Sequence, residues 1–283
     1  GPHPAMDTID FVNIETTGNA TDFGNLSTAR TAKSGGASRT RGLFQGGRFS
    51  PTSDGYNIID FVTFSSTGDT QNFGDLTGET RNAAKIGFSD STRSIFAGGY
   101  SMPGQTRVNS MEFITISTTG NGVDFGDTPS LEIVWSNSGS SPTRGIVAGG
   151  SAPSKINNIE FVTISTTGNS SDFGDLTVAR SNNTNSMTNA LRMVMSGGLA
   201  PSASNVLDYI TTATLGNALD FGDQSSASEG QASTSSSTRG VLYVGAPTSG
   251  NTLEFIQIMT AGNAVYFGDL SAARRVYSAC SNG

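Results

Sequence analysis

The chain is poor in the residues on which most catalytic sites depend. Its 283 residues include one cysteine and one histidine, and only 14% are charged. Cys280 alone cannot form an internal disulfide or a thiolate zinc site. The histidine lies in residues 1–5, Gly-Pro-His-Pro-Ala, which we interpret as a purification-tag remnant before Met6. Beyond that remnant no histidine remains, which excludes histidine-activated nucleophiles and histidine-ligated metals.

Positive charge is scarce as well. The chain has 16 Lys and Arg against 23 Asp and Glu, a net charge of −7 and a pI near 4.6. Nucleic-acid binding needs clustered cations that neutralise phosphates, so we expect no nucleic-acid partner. No run approaches the roughly 18 to 20 apolar residues of a transmembrane helix, so we expect no membrane insertion. We also predict no cofactor and no metal.

Glycine, by contrast, is abundant, with 36 residues, and many of these glycines recur at fixed places. An acidic residue followed by an aromatic one recurs once in each of six units, at spacings of 46 to 52 residues. The six acids are Asp10, Asp60, Glu112, Glu160, Asp208 and Glu254. A glycine always follows eight positions after the acid and a phenylalanine thirteen positions after it. Fixed offsets separated by gaps of variable length are typical of strands and turns joined by surface loops.

Each unit contains about four short β-strands. In the fourth unit, residues 159–164 are β-branched and aromatic, which favours a strand, and Gly168 and Asn169 supply a turn. A second short strand carries Phe173, and the last one ends in a diglycine. Four strands per unit of this length predict a propeller blade. We therefore expect one domain, residues 6–283, with repeats starting near residues 6, 57, 109, 157, 205 and 251.

A diglycine strand, an acidic-aromatic strand and an aromatic before Asp-Leu together resemble the kelch repeat. The diglycines are Gly46-Gly47, Gly98-Gly99, Gly149-Gly150 and Gly197-Gly198, degrading to Gly245-Ala246. Phe173 and its equivalents stand where that family has a tryptophan. The resemblance implies an all-β, six-bladed β-propeller of four-stranded blades, and it leaves the function open because such propellers host both binding and catalysis.

The near-identity of the units also resembles propeller repeats of bacteriophage tail fibres of the marine, cyanophage type. The third and fourth units share Thr-Ile-Ser-Thr-Thr-Gly-Asn. This resemblance implies a virion or extracellular location and a structural role, with a host glycan or a virion or cell-surface protein as partner.

The strand count predicts an incomplete blade. The sequence has six acidic-aromatic strands but only five diglycine strands. We expect one blade to lack a strand, which either a longer native chain or self-association with a neighbouring chain would supply, since an unpaired edge invites strand addition.

The repeated acids have two interpretations. They could form a carboxylate ring for cations, or they could pair with arginines at the start of the neighbouring strands, and we favour the pairs because a buried charge must be compensated. The arginines are Arg41, Arg93, Arg144, Arg192 and Arg239. A second acidic series follows each Phe-Gly, and we assign it to turn capping rather than to Ca²⁺, because Asn25 replaces the acid in the first unit.

A functional site should break the repeat, because one site needs one copy. Trp135, Tyr100 and Tyr56 break it and are the candidate ligand contacts. Nothing singles out a catalytic pair of carboxylates, because the acids at distinctive positions are shared by all units, so we predict no catalytic residues. We expect a non-enzymatic structural or recognition module. The alternatives are a carbohydrate-active enzyme that uses loop carboxylates, and a protein-interaction scaffold.

Overall fold

The computed structural model describes residues 5–31, 34–48, 55–77, 86–101, 106–128, 134–151, 154–181, 186–244, 250–274 and 278–282. Every regular element in these ranges is a β-strand. No helix capable of spanning a membrane occurs in them. Most of the tag remnant and the degenerate Gly245-Ala246 lie outside the described residues.

Most strands belong to five antiparallel sheets of four main strands, and each sheet is one blade of a β-propeller. The chain begins with a separate two-stranded sheet of β1 (Met6–Phe11) and β2 (Thr21–Arg30). Blade 1 consists of β3 (Ser34–Ala37), β4 (Arg41–Gln45), β5 (Ile58–Thr63) and β6 (Gln71–Asp75). Blade 2 consists of β7 (Ile86–Ser89), β8 (Arg93–Ala97), β11 (Ser110–Thr115) and β12 (Val123–Asp127), with a side hairpin of β9 (Tyr100–Ser101) and β10 (Thr106–Arg107).

The other three blades repeat this arrangement. Blade 3 consists of β13 (Asn137–Ser140), β14 (Arg144–Ala148), β15 (Asn158–Thr163) and β16 (Ser171–Asp175). Blade 4 consists of β17 (Met187–Thr188), β18 (Arg192–Ser196), β20 (Ser202–Thr211) and β21 (Leu219–Ser228), with β19 (Leu199–Ala200) beside β20. Blade 5 consists of β22 (Ser233–Ser235), β23 (Arg239–Val244), β24 (Gly250–Gln257) and β25 (Val265–Arg274).

The prediction of an all-β propeller is confirmed, but the prediction of six blades is wrong, because the described residues form five. Each blade takes its two inner strands from one sequence repeat and its two outer strands from the next. Six repeats therefore need not give six blades. The first acidic-aromatic strand, β1, pairs only with β2.

The blades pack face to face through apolar side chains that alternate along the strands. Between blades 2 and 3, for example, Ile95 and Ala97 of β8 share a buried cluster with Val147 and Val162. An aromatic pair is common to all six repeats, in which the ring after the acid meets the repeated phenylalanine edge to face at 5.9 to 6.2 Å. This geometry is favourable for two aromatic rings and ties each third strand to its fourth.

A Gly-Asn turn joins each repeat to the outer strand of the repeat before it. At the junction of blades 2 and 3, the Gly168 amide donates to the Phe125 carbonyl at 2.7 Å and the Ser170 amide donates to the Asp127 carbonyl at 2.9 Å. The Asn169 Oδ1 accepts from the Asp127 amide at 2.9 Å. We call this set of three hydrogen bonds the turn latch.

The turn latch is present at all six junctions, with Asp69 in place of Asn at one of them. It also closes the ring. The Gly18 amide donates to the Phe267 carbonyl at 3.0 Å, and Asn19 Oδ1 accepts from the Asp269 amide at 3.1 Å. The β1–β2 sheet thus lies between blade 5 and blade 1.

The turn latch requires glycine in the outer strand. Gly74 has φ +154°, and a Cβ there would overlap the Gly120 carbonyl group of the next turn. We expect Gly74→Ala to lower the free energy of unfolding by more than about 2 kcal/mol, through backbone strain and loss of the latch. Chemical denaturation of the folded chain measures this change.

Gly120→Ala is the matched control for that variant. Gly120 is the partner in the same contact, but a Cβ at this position meets no atom within 4 Å. We expect a loss of no more than about 1 kcal/mol for Gly120→Ala. Equal losses for the two variants would contradict the requirement for glycine at position 74.

Candidate functional site

The repeated acids are used by the scaffold. Asp60 accepts a hydrogen bond from the Ser27 hydroxyl at 2.7 Å, and Asp208 accepts one from the Thr177 hydroxyl at 2.7 Å. Glu112 accepts from the Thr77 amide at 2.8 Å. In each case the donor follows the leucine of the preceding repeat, so the acid stabilises the junction between neighbouring sheets.

Two of these acids also form buried ion pairs that the sequence analysis missed. Arg30 Nη2 lies 3.0 Å from Asp60, and Arg180 Nη2 lies 2.8 Å from Asp208. All four side chains are at most 1% exposed. Burial lowers the pKa of both guanidinium groups, and the facing carboxylates oppose that shift. The signal in the sequence was the arginine four residues after the leucine at Leu26 and Leu176.

The five repeated arginines have different partners. Each stacks over the aromatic ring that follows the acid, with its guanidinium carbon 4.2 to 4.7 Å from the ring centre. Each also donates to a backbone carbonyl of the next sheet; Arg41, for instance, donates to Ile116 at 2.8 Å. The structure therefore does not bring these arginines together with the acids as we predicted.

Strand geometry explains the difference. Adjacent residues on a strand point to opposite faces of the sheet. The arginine stacks on the ring after the acid, at Phe61 for Arg41, so Asp60 points to the other face. One face holds the stacked arginine, and the other holds the acid and its donors.

The residues of the second acidic series take part in the turn latch through their backbone amides. The backbone amides of Asp75, Asp127, Asp175, Asp223 and Asp269 are donors in the turn latch. The capping side chain in these contacts is the asparagine of the next turn. Among the described residues, no group of three or more acids, cysteines or histidines could hold a metal ion.

Two of the three candidate ligand residues lie together. The rings of Tyr100 and Trp135 are 5.6 Å apart at an angle of 66°. Trp135 is 37% exposed and has φ +55°, a left-handed conformation that is costly for a bulky residue. Tyr56 lies in blade 1, where its amide donates to the Gly47 carbonyl at 2.9 Å.

Backbone pairing connects two cationic residues to the segments that carry this aromatic pair. Arg107 pairs with Tyr100 across the hairpin β9–β10. Lys155 pairs with Ser151, which in turn pairs with Val134, the residue before Trp135. We call these four residues, Tyr100, Trp135, Arg107 and Lys155, the aromatic rim site. It lies at the junction of blades 2 and 3, on the rim that carries the diglycine bends.

Two cavities lie elsewhere in the molecule, and none of the four residues of the aromatic rim site lines them. One, of about 620 Å³, is the central channel, which is lined by the innermost strands and by small residues such as Gly35, Gly87 and Gly139. The other, of about 630 Å³, lies between the β1–β2 sheet and blades 1 and 5.

No protein-family model matches the chain, and no curated protein matches it either.

The buried ion pairs give a testable consequence. We expect Asp208→Asn to lower the free energy of unfolding by about 3–5 kcal/mol, because it leaves the Arg180 guanidinium buried without its counter-charge. Denaturant unfolding followed by circular dichroism measures the loss.

Glu254→Gln is the matched control for Asp208→Asn. Glu254 is equally buried and occupies the same repeat position, but its contacts are to the amide and hydroxyl of Ser225. We expect a loss of about 1 kcal/mol for Glu254→Gln, because the amide oxygen still accepts a hydrogen bond. A similar loss for both variants would show that the ion pair itself contributes little.

Proposed function

We propose that the protein is a non-enzymatic recognition module that presents the aromatic rim site on a rigid propeller. The observation that carries this proposal is the ring contact between half-buried Tyr100 and exposed Trp135, which interrupts the repeat at one junction. A bulky residue in a left-handed conformation stores strain, and such strain concentrates at functional positions.

A glycan with carboxylate groups fits the chemistry of the aromatic rim site. Aromatic faces pack against the apolar C–H surface of a sugar ring, and Arg107 and Lys155 supply positive charge on a chain with net charge −7. A local positive site on an acidic surface favours an acidic ligand over a neutral one.

The contacts of the repeated acids do not support the alternative of a carbohydrate-active enzyme. Glycoside hydrolysis needs two carboxyl groups flanking one bond. The repeated acids instead accept hydrogen bonds within the junctions, and two of them pair with buried arginines. Burial raises the pKa of the Cys280 thiol to about 12, so it stays protonated at neutral pH and is a poor nucleophile.

We also propose that the protein belongs to the kelch-like propellers and to a viral tail fibre or a comparable surface appendage. The diglycine strands and the near-identical repeats support this proposal. A virion or extracellular location fits a role in host recognition. A protein-interaction scaffold is the other candidate function, and a single captured protein partner in place of a glycan would favour it.

Trp135 is the only tryptophan in the chain, so its fluorescence reports directly on the aromatic rim site. We expect carboxylated oligosaccharides on an array to retain the protein, and titration with a retained oligosaccharide to shift the Trp135 emission. Tyr100→Ala should weaken binding about ten-fold, because it removes one of the two aromatic faces that pack against the sugar, and a ten-fold change corresponds to about 1.4 kcal/mol.

Tyr56→Ala is the control. Tyr56 is also an aromatic residue that breaks the repeat, but it lies in blade 1 and is not part of the Tyr100–Trp135 ring contact. The substitution should leave the titration unchanged. The proposal fails if Tyr100→Ala binds the oligosaccharide as tightly as Tyr56→Ala and the unmodified protein do. It also fails if the protein releases reducing sugar from the retained glycan.

A further inference from the structure

The cavity of about 630 Å³ lies where each of the five blades has its second strand. It extends along β1 and is bounded by blade 1, by blade 5 and by residues 278–282. The strands that fill the corresponding position in the blades are β4, β8, β14, β18 and β23.

Residues 278–282 occupy the position of an innermost strand. The Ser281 hydroxyl donates to the Ser235 carbonyl at 2.5 Å. The same contact joins the innermost strands of neighbouring blades, where the Ser140 hydroxyl donates to Ser89 at 2.6 Å and the Ser89 hydroxyl donates to Ala37 at 2.7 Å. A blade's first, third and fourth strand positions are therefore occupied around the cavity, and the second is open.

One backbone amide just beyond β1 has unused hydrogen-bonding capacity. In each blade, the amide just beyond the third strand donates to the carbonyl just before the second strand, at 2.8 to 3.0 Å. These amides belong to Phe64, Ile116, Ile164, Thr212 and Ile258. Ile14 holds the equivalent position beyond β1, and its amide has no hydrogen-bond partner among the described residues.

The ring of Phe11 also lacks the cover that a second strand provides in the blades. Phe11 is 44% exposed, whereas the equivalent Phe61 is 6% exposed. The ring of Phe61 is covered by Arg41, the first residue of β4, at 4.7 Å. Phe11 meets Phe23 edge to face, as in the blades, so its other side is the one open to the cavity.

The side walls of the cavity are apolar. Phe44 and Val62 face it from blade 1, and Val241 and Tyr243 face it from blade 5. Between blades 2 and 3 the corresponding wall, Val147 and Val162, is covered by the aliphatic residues of the second strand. A strand in this cavity would bury the equivalent surface.

We propose that this groove binds an extended segment of a partner protein. The segment takes the open second-strand position, between residues 278–282 and β1. The recognised segment has the pattern of β14: an arginine, which here stacks on Phe11, then a small residue, two aliphatic residues and a second small residue. The arginine is common to all five second strands. The backbone of the segment lies beside β1 and pairs with the free amide of Ile14, which is recognition by β-strand addition. The arginine also reaches the carbonyl of Phe64, the counterpart of the Ile116 carbonyl that binds Arg41.

A second copy of this chain is a poorer occupant than a partner segment. To donate a second strand, the copy would open one of its own blades and lose the same hydrogen bonds that it gains. A partner whose segment is free in solution loses no such structure, although it pays the entropy of ordering.

The probe is the synthetic peptide Thr-Arg-Gly-Ile-Val-Ala-Gly-Gly, which copies residues 143–150. We expect calorimetry to show one peptide bound per protein and thermal unfolding to show a raised midpoint. A peptide with alanine in place of its arginine should bind about ten-fold more weakly. N-methylation of its valine, whose amide faces β1 in the proposed register, should abolish binding.

Protein variants locate the binding. We expect Phe11→Ala to weaken peptide binding about ten-fold. The matched control is Phe161→Ala, which removes the equivalent ring from the complete blade 3 and should leave peptide affinity unchanged even if it lowers stability. Tyr100→Ala should also leave peptide binding unchanged, so failure of this proposal and failure of the aromatic rim site are distinguishable.

Three results would overturn the proposal. The first is the absence of both heat and a shift in the unfolding midpoint with the parent peptide. The second is equal binding of the N-methylated and parent peptides. The third is a stable dimer in light scattering that Phe11→Ala dissociates, which would assign the groove to a second copy.

Discussion

The ring depends on the contact between a Gly-Asn turn and the outer strand of the preceding repeat. Each latch adds three hydrogen bonds between elements that belong to different sheets, and all but one of those hydrogen-bonding groups are backbone groups. Because a backbone approach this close leaves no room for a Cβ, Gly74 and its equivalents are fixed along with the turn. The constant offset from each acid to its glycine and its phenylalanine follows from this contact, since both partners must keep register.

Two independent systems thus hold the molecule. The turn latches join neighbouring sheets near their outer strands. The backbone hydrogen bonds between paired strands, which form the ladders, hold the strands together within each blade. The β1–β2 sheet shows that the first system works without the second, because it is latched to both neighbours although it has only two strands. The closed ring and the open second-strand position are therefore compatible.

Much of this architecture could be predicted from the sequence, because the repeat fixes which residues take equivalent places. The strand at Asp10-Phe11 and its five counterparts lie where the pattern placed them. The number of blades could not be predicted by counting repeats, because a blade combines strands from two repeats. The partners of Asp60 could not be predicted from charge alone, because side-chain alternation sends Arg41 to the opposite face and leaves Arg30 as the counter-ion. The contact between Tyr100 and Trp135 depends on two neighbouring blades, so repeat-breaking composition found both residues but not their pairing.

The two proposed sites differ in what the scaffold demands of them. The aromatic rim site lies outside the turn latches and outside the four main strands of each blade, so its side chains are free to vary without loss of the ring. The groove beside β1 is the reverse case, because its shape is set by the same register that builds the blades. Its chemistry can therefore be derived from the second strands already present. All five place an arginine over an aromatic ring, and β14 combines that arginine with small and aliphatic residues. An occupant that departs from that pattern would leave either Phe11 uncovered or the walls at Phe44 and Val241 in contact with water. Burial of apolar surface contributes about 25 cal/mol of binding free energy per Å², and that contribution would be lost.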